Sequence, residues 1–538
     1  MTDAVFEYHE VTKHYFDHYA PGPGGLDWAN QPDPFRRYVG APLCLLERIP
    51  PAPVSGPAGA VQECDLRSVS QLLFDAFALS AWKQAGTSRW ALRVNPSSGN
   101  LHPTEAYLIA GKIPGLSDGP AVYHYAPREH GLELRARFPG SLWDRMGEAW
   151  GGSGLLVGLS SVVWRETWKY GARAFRYCNH DVGHALAALT IAALGLGWRV
   201  RLCEAISSSD LYAILGLNRP LASEPEHPDC LVVITPPGER PADSEDWASV
   251  ARLFEQLEWI GKPNRLSPQS VEWPQIKRVM AACRKPGIAP PVLQRAGCQQ
   301  SEFVPLSGRT LRRKWIHQRR SAVAMDDQTH LPAVSFFQML EALLPRHPPF
   351  DTWPWAPAVS LILFVHRVAA LAPGLYGLIR HPDHETAWRS LWPSEWTWSR
   401  IEGTPRDVVL YRWIEADMRH AARTISCHQD IAGDGCFSLG MVTEFESVIE
   451  KHGGWFYPRL FWECGMIGQV LYLEAEQAGV RGTGIGCFFD DAVHEILGLK
   501  SRRFQSLYHF TVGGAMEDPR LTTWPPYPPL DNLESSRF

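Results

Sequence analysis

The sequence has no Cys-x-x-Cys pair and no cluster of cysteine and histidine at zinc-binding spacing, although it contains 11 cysteines. Cysteines spread this widely are typical of reduced, mostly buried thiols, and we predict no metal site. A large excess of either sign of charge is also absent, because 52 basic and 57 acidic residues give a net charge of only -5. This balance gives no reason to expect nucleic acid or an anionic membrane as a partner.

Long uninterrupted apolar runs are also absent. Residues 185–198 form a run that is too short to span a bilayer, and His366 and Arg367 interrupt the run at 356–379. The first 19 residues contain four acidic side chains and no apolar segment, unlike a secretory signal. We therefore expect a cytoplasmic protein without a transmembrane helix.

The composition that is present, 45% hydrophobic and 20% charged over 538 residues, is typical of a soluble globular protein of about two to four domains. Proline and glycine are frequent in residues 1–65, which predicts an extended N-terminal arm. Residues 239–300 are rich in proline and charge, as expected of a linker or peripheral segment. Two domains, at 66–238 and 301–538, would account for the rest.

A turn rich in serine, glycine and asparagine stands directly before an apolar run that predicts a buried strand. The turn contains Pro96, Ser97, Ser98 and Asn100, and the strand follows at residues 106–110. Such a turn offers backbone and side-chain donors at a strand edge, where a planar polar ligand could bind. The alternative is a purely structural turn, because these residue types form turns for conformational reasons.

The chain contains an internal repeat in which matched positions are displaced by 282, as from 183 to 465. The matches are Gly183, Gly197 and residues 214–217 in the first copy, and Gly465, Gly479 and residues 496–499 in the second. A strand pattern at 231–238 corresponds to 507–514 after a loop that is six residues longer in the first copy. Each copy thus predicts helix, turn, helix and strand in an α+β fold. Unrelated alanine-rich helices are the alternative explanation.

The two copies keep different polar motifs. The first has the serine-rich turn but no Arg-Arg-Ser near its start, whereas the second begins with Arg319, Arg320 and Ser321. Where a second serine-rich turn would fall, the second copy has the sequence Pro354-Trp355-Ala356-Pro357. Arginine and serine supply the paired charge and hydroxyl donors that a phosphate needs. A solvated basic turn is the alternative for Arg-Arg-Ser alone.

The stretch NPSSGNLHPTEAYL, residues 95–108, closely resembles the flavin-contacting motif of the nitroreductase-like FMN superfamily, in its SagB/ThcOx-type azoline dehydrogenase branch. In that superfamily FMN lies between two subunits, one with Arg-Arg-Ser and a glycine-rich turn and the other with Pro-Ser-Ser-x-Asn. The resemblance implies two nitroreductase-like domains that form an intramolecular pseudo-dimer with one composite FMN site, so a monomer could suffice. The cofactor-binding residues it implies are Pro96, Ser97, Ser98, Asn100, Arg319, Arg320, Ser321, Gly484, Ile485, Gly486 and Arg520.

The segment from Gly482 to Gly486 is similar to the family's glycine-rich turn, where glycine lets the backbone approach a flat ring closely. Val323 stands where the family often has lysine or arginine, so part of the phosphate charge must be neutralised from elsewhere. Arg520 resembles the family's C-terminal phosphate-side cation, and an exposed tail arginine is the alternative.

Residues 169–177, KYGARAFRY, resemble the KYGxRAxRY signature of SagB-type azoline dehydrogenases, in which the Lys-Tyr pair is functional. The resemblance implies Lys169 and Tyr170 as catalytic residues, one of which takes a proton from the substrate. From the residues alone, an ordinary basic helix is the commoner reading. At the 282 offset the second copy has Lys451 but His452 in place of the tyrosine.

The resemblance implies an FMN-dependent dehydrogenase that oxidises a thiazoline or oxazoline in a modified peptide to the azole, with reduced flavin reoxidised by oxygen. One alternative is an NAD(P)H-dependent nitro or quinone reductase acting on a small molecule. Another is a non-catalytic flavin-binding or scaffold protein with a partner in a peptide-modifying complex, suggested by the degenerate second site.

Overall fold

The computed structural model describes residues 2–51, 61–148, 154–219, 224–237, 246–287, 313–346, 348–390, 396–499 and 501–527. Its α-helices are α1 (Thr2–Val11), α2 (Leu66–Phe77), α3 (Gly140–Gly147), α4 (Val163–Tyr170), α5 (Ala174–Gly195), α6 (Ser208–Ile214), α7 (Trp247–Glu255), α8 (Pro274–Ala282), α9 (Arg313–Gln318), α10 (Ala333–Ala342), α11 (Pro382–Arg389), α12 (Arg419–Ile425), α13 (Ile431–Asp434), α14 (Phe445–His452), α15 (Tyr457–Gln477) and α16 (Asp490–Ile496).

The strands, in chain order, are β1 (Tyr38–Val39), β2 (Leu43–Leu45), β3 (Leu79–Ala85), β4 (Ser88–Arg93), β5 (Thr104–Ala110), β6 (Ala121–Ala126), β7 (Gly131–Arg137), β8 (Leu155–Ser161), β9 (Arg199–Leu202), β10 (His227–Thr235), β11 (Lys262–Pro263), β12 (Val359–Val365), β13 (Gly374–Ile379), β14 (Ser399–Arg400), β15 (Val409–Glu415), β16 (Phe437–Thr443), β17 (Arg481–Ile485), β18 (Gln505–Gly513) and β19 (Thr522–Trp524). Short 3₁₀ turns lie at Trp28–Asn30, Ser98–Asn100, Gly171–Arg173 and Gly454–Phe456.

Two antiparallel sheets of the described residues share the order of six strands and differ in the strand at one edge. The first has seven strands in the order β2-β7-β6-β5-β8-β10-β9, and the second has seven in the order β14-β15-β13-β12-β16-β18-β17. Central strands such as β5, β8, β12 and β16 are buried along their whole length, which explains their continuous apolar sequences. The α+β fold and the pairing of two like halves in one chain are therefore confirmed.

The repeat has one more element than its sequence pattern predicted. Gly197 and Gly479, with φ of 76° and 75°, each end a long helix in the left-handed conformation that favours glycine. A short strand, β9 or β17, then precedes the second helix in each copy and pairs with the edge of β10 or β18. These strands are only four and five residues long, and glycines occupy two of the five positions of β17. Propensity alone therefore gave no strand signal.

The two halves meet along α5 and α15, which cross at the repeat-related glycines. A Cβ added at Gly465 would lie 2.1 Å from the carbonyl oxygen of His180, and one at Gly183 would lie 2.2 Å from that of Trp462. The absence of side chains at both positions lets the helix backbones touch. One hydrophobic core then extends continuously from the first half into the second.

Replacing Gly465 with alanine should lower the free energy of unfolding by about 1 to 3 kcal/mol, because the added methyl group would meet backbone rather than a movable side chain. Gly195, at the end of α5, is the matched control, since an added Cβ has no atom within 4 Å. Gly195→Ala should be neutral or slightly stabilising. Urea denaturation followed by circular dichroism checks both, and equal midpoints would contradict the crossing geometry.

The chain termini cross between the halves. The N-terminal helix α1 packs on the second half, where His9 hydrogen-bonds Tyr457 at 3.2 Å and Gln505 at 3.1 Å. The C-terminal strand β19 pairs with β3 of the first half, Thr523 opposite Lys83. Each half is therefore fastened to the other at both ends of the chain.

Two predicted segments contain more regular structure than expected. Residues 2–11 of the predicted extended arm form α1, since the breakers that predicted extension begin only at Pro21. The predicted linker contains α7 and α8, with apolar faces buried against the body. The predicted boundaries near 238 and 300 lie outside the described residues. Among the described residues, no helix combines the length and apolar character needed to cross a bilayer.

Candidate functional site

A cavity of about 430 Å³ lies between the two halves and is lined by the motifs of both. The serine-rich turn forms one wall, and the second half contributes the segment that begins at Arg319 and the end of β17. Of the residues predicted from sequence, those in the lining are Pro96, Ser97, Ser98, Asn100, Tyr170, Arg319, Arg320, Ser321, Gly484, Ile485 and Gly486. Lys169 and Arg520 are not among them.

The serine-rich turn is held in shape by its own side chains and by α5. Gly99 and Asn100 adopt positive φ, 57° and 60°, which suits glycine and is tolerated by asparagine. The backbone N–H and the hydroxyl of Ser98 both donate to Asp181 at 3.0 Å. The Asn100 amide donates to the Ala91 carbonyl at 2.9 Å. Burial raises the pKa of Asp181 to about 7. Sequence reasoning missed Asp181, although it lies one helical turn after Tyr177.

Arg319 joins the two motifs. Its Nε donates to the carbonyl of Val94 at 3.0 Å and its Nη2 to that of Arg93 at 3.1 Å, immediately before the serine-rich turn. Its guanidinium also lies over the Tyr472 ring, 4.9 Å from the centroid. Burial lowers the pKa of Arg319, and its Nη1 has no hydrogen-bond partner among the described residues. Arg319 therefore holds the two halves together at the cavity, and its Nη1 is the one guanidinium nitrogen without a partner among the described residues.

One end of the cavity carries the guanidinium groups of Arg320 and Arg481, with Glu517 beside them. Arg320 donates to the Ser80 carbonyl at 2.8 Å and to the His317 carbonyl at 2.9 Å, and burial lowers its pKa to about 10. Arg481 pairs with Glu517 at 2.5 Å, while the Ser321 hydroxyl contacts the Tyr472 hydroxyl at 2.8 Å. Two guanidinium groups and a hydroxyl are suitable donors for a phosphate.

Arg520 does not reach this end of the cavity. Its side chain is 85% exposed and its guanidinium pairs with Asp518 at 2.7 Å. This ion pair with the carboxylate two residues earlier in the chain directs the Arg520 side chain away from the cavity. Arg481 lines the cavity and was not singled out by the sequence analysis, although it stands directly before the glycine-rich segment.

The glycine-rich segment lies flat against neighbouring aromatic side chains. A Cβ at Gly484 would lie 1.9 Å from the Tyr508 hydroxyl oxygen, and one at Gly486 would lie 2.4 Å from Cε1 of Tyr177. The Gly484 N–H donates to the Tyr472 hydroxyl at 3.0 Å. Neither position has room for a larger side chain, so the backbone itself forms this wall.

Lys169 and Tyr170 lie against the serine-rich turn. A Cβ added at Gly99 would be 2.6 Å from the Tyr170 hydroxyl oxygen and 3.0 Å from Lys169 Nζ. Helix α4 ends at Tyr170 because Gly171 turns the chain with a φ of 54°. Burial, followed by the Glu166 carboxyl, raises the pKa of Tyr170 well above its usual range. The tyrosine therefore keeps its proton at neutral pH.

Glu166 is a buried carboxyl beside this pair. Neither of its oxygens has a hydrogen-bond partner among the described residues. Burial raises the pKa of Glu166 well above its usual range, and Asp181 raises it further, while Lys169 and Arg165 lower it. No motif marks Glu166, because its burial and its missing partners follow from residues that are brought together only by folding.

The two arginines of the KYGxRAxRY signature have a structural role. Arg173 and Arg176 pair with the two oxygens of Asp490 at 2.9 Å and 2.8 Å, and all three side chains are buried. These ion pairs connect the start of α5 to α16 of the second half. The Tyr177 hydroxyl donates to the Gly486 carbonyl at 3.1 Å and so supports the glycine-rich wall.

Two buried indoles occupy the place in the second copy that corresponds to the serine-rich turn. The indoles of Trp353 and Trp355 stack at 5.0 Å where the second copy lacks a serine-rich turn, and both are buried. The Thr352 carbonyl accepts from the N–H of Leu202, the counterpart of Gly484. A separate cavity of about 470 Å³ contains none of the predicted site residues. The smaller cavity is therefore the candidate site.

The candidate site fits a flavin mononucleotide. Lining residues carry buried polar atoms without a partner among the described residues, namely Asn95 Oδ1, His184 Nδ1 and Arg319 Nη1. The flat wall at Gly484 and Gly486 suits a planar ring, and the guanidinium groups of Arg320 and Arg481 suit a phosphate. Buried polar atoms normally have partners, so unpaired ones among the lining residues are consistent with a polar ligand nearby.

Comparisons with known proteins agree with this architecture. Residues 390–514 match the family model described as the nitroreductase family. A Methanocaldococcus jannaschii protein provisionally named a nitroreductase is 26% identical over 159 residues, 28% of this chain and 75% of that protein. A crystal structure from Anabaena variabilis, also provisionally named a nitroreductase, superimposes with a TM-score of 0.69 at 20% identity and covers 95% of this chain and 99% of that one. The chain therefore has a nitroreductase-like fold in both halves.

Proposed function

We propose that this protein is an FMN-dependent oxidoreductase that oxidises thiazoline or oxazoline rings in a modified peptide to azoles. The match of residues 390–514 to the nitroreductase family supports the oxidoreductase class. The observation that carries the finer proposal is the position of Lys169 and Tyr170 against Gly99 of the serine-rich turn. A proton acceptor would thus stand beside the expected cofactor.

The residues divide into those that hold the cofactor and those that act on substrate. The serine-rich turn and the segment from Gly484 to Gly486 would hold the flavin ring, and Arg320, Ser321 and Arg481 would hold its phosphate. Bound FMN would supply a two-electron acceptor for the hydride that leaves the substrate carbon.

Lys169 is the residue that we assign as the base. Tyr170 keeps its proton, because burial raises its pKa, so it can donate a hydrogen bond but cannot accept the substrate proton. The uncharged form of the Lys169 amine would take the proton from the ring carbon next to the one that loses hydride and would become the ammonium. The Tyr170 hydroxyl would orient the ring.

The test begins with the visible spectrum of purified protein reconstituted with FMN. A yellow protein that converts an azoline-containing peptide to a product lighter by two hydrogen atoms supports the proposal. A protein that stays colourless would favour the scaffold alternative. Rapid bleaching by NAD(P)H that persists in Lys169→Ala, without azoline oxidation, would favour a nitro or quinone reductase. A cytoplasmic location and a partner in a peptide-modifying complex belong to the same proposal.

A further inference from the structure

Two cysteines that the proposed function does not use lie in contact at the edge of the cavity. The sulfurs of Cys427 and Cys487 are 2.8 Å apart, although the residues are 60 positions apart in the chain. A small movement of either side chain would bring them to the disulfide bond length of about 2.05 Å. Among the described residues, histidine, cysteine and acidic side chains do not gather in threes that could hold a metal ion. The pair is thus a candidate for disulfide chemistry.

The backbone holds Cys427 in this position. Cys427 and His428 both have positive φ, 54° and 57°, a region that residues with a Cβ rarely adopt. Two such residues in succession persist only where the surroundings determine the conformation, and this is common at functional sites. The Gln429 side chain closes the loop by donating to the Cys487 carbonyl at 3.0 Å.

The two thiols differ in acidity. The hydrogen bond from Cys427, with smaller contributions from His14 and Arg173, lowers the pKa of Cys487 to about 5 although burial opposes it. The same contact raises the pKa of Cys427. Cys487 is therefore the more acidic of the two, and a more acidic thiol beside a less acidic one suits thiol–disulfide exchange.

The pair connects the cavity with the exterior. Cys487 directly follows Gly486 and lines the cavity, as does Gln429. Both cysteines are half-buried, so neither is sealed in the core. A redox group here would stand next to whatever the glycine-rich wall holds.

We propose that Cys427 and Cys487 form a redox-active pair that passes two electrons from the cavity to small disulfides such as oxidised glutathione. In the first half of the cycle, the Cys427–Cys487 disulfide takes two electrons and two protons from reduced flavin and becomes two thiols, while the flavin returns to its oxidised form. This half rests on the proposed function, since it needs a flavin in the cavity.

The second half of the cycle needs only the protein and the small disulfide. The Cys487 thiolate attacks oxidised glutathione, forms a mixed disulfide and releases one glutathione. Cys427 then attacks the Cys487 sulfur, closes the protein disulfide and releases the second glutathione. Two protein thiols are oxidised and one disulfide is reduced, so electrons and protons balance.

Cofactor-free protein tests the second half. Oxidised glutathione should remove two alkylatable thiols and produce a peptide cross-linked between Cys427 and Cys487, found by mass spectrometry after digestion. Cys427→Ser should leave no such cross-link, whereas the control Cys64→Ser, at an exposed cysteine, should leave it unchanged. Cysteines that stay fully alkylatable in the wild type would overturn the proposal.

Flavin-loaded protein tests the first half. After anaerobic reduction with dithionite, oxidised glutathione should restore the flavin absorbance at 450 nm about ten-fold or more faster in the wild type than in Cys427→Ser, because only the wild type can form the relay disulfide. Reoxidation by oxygen should be equal in the two proteins. Equal reoxidation by glutathione would overturn the electron-transfer half. A protein that binds no flavin would refute the proposed function instead, and the cross-link would still decide the pair.

Discussion

Replacing Lys169 with alanine should lower the rate of azoline oxidation by about 100-fold or more, because a positioned proton acceptor contributes roughly that factor to such a step. FMN binding should persist, since Lys169 is not among the residues lining the cavity. Single-turnover reduction of the flavin by the substrate peptide measures the chemical step, and the visible spectrum measures cofactor content.

The matched control for this variant is Lys451→Ala. Lys451 stands at the 282 offset in the second copy, is exposed, and is followed by His452 rather than tyrosine. Its replacement should change neither the rate nor the cofactor content. Tyr170→Phe should have a smaller effect than Lys169→Ala, because the hydroxyl orients and does not accept the proton. A Lys169→Ala enzyme that reduces its flavin at the wild-type rate would refute the assignment of the base.

Replacing Arg320 with methionine should weaken FMN binding by roughly 10- to 100-fold, which corresponds to the loss of about 1.5 to 3 kcal/mol from a hydrogen bond to a charged group. The loss should be smaller at high salt, where screening already weakens the wild-type contact. Fluorescence titration of cofactor-free protein with FMN measures both effects. Riboflavin, which is FMN without its phosphate, should bind the wild type and the variant with equal affinity.

Arg520→Met is the control for Arg320. Its guanidinium is exposed and paired with Asp518, so its removal should leave FMN affinity within about two-fold. Because Arg320 also donates to the Ser80 and His317 carbonyls, thermal unfolding of Arg320→Met separates lost binding from a damaged fold. If Arg520→Met weakens binding and Arg320→Met does not, the phosphate end of the cavity has been assigned wrongly.

Much of the fold could be predicted because its signals are local or periodic. Helix α5, the strand after the serine-rich turn and the 282-residue repeat follow from apolar spacing and turn chemistry. Strands β9 and β17 could not be predicted, since they are short and are stabilised by pairing with β10 and β18. The helical start of the N-terminal arm was hidden by the breakers that follow it.

The candidate site divides in the same way. The motif residues at 96–100, 319–321 and 484–486 line one cavity, as the resemblance implied, although their roles stay proposals. Arg520 was assigned by analogy and lies outside the cavity, while Arg481 lines the cavity and belongs to no motif that the sequence analysis used. Asp181, Glu166 and the Cys427–Cys487 contact were also missed, because each depends on a distance across the fold.

The sequence by itself determined that the chain is a duplicated α+β protein whose two copies keep complementary motifs, since residue order and spacing encode turns, periodicity and repeats. Only the tertiary structure decided which groups share the cavity. The contact of Gly183 with α15 sets how closely the halves approach, and that approach brings Arg319 to the carbonyls of Arg93 and Val94. Hydrogen bonds and close ion pairs depend on distances of a few ångströms in space and not on separation in the sequence. These contacts can therefore be identified only in the folded chain.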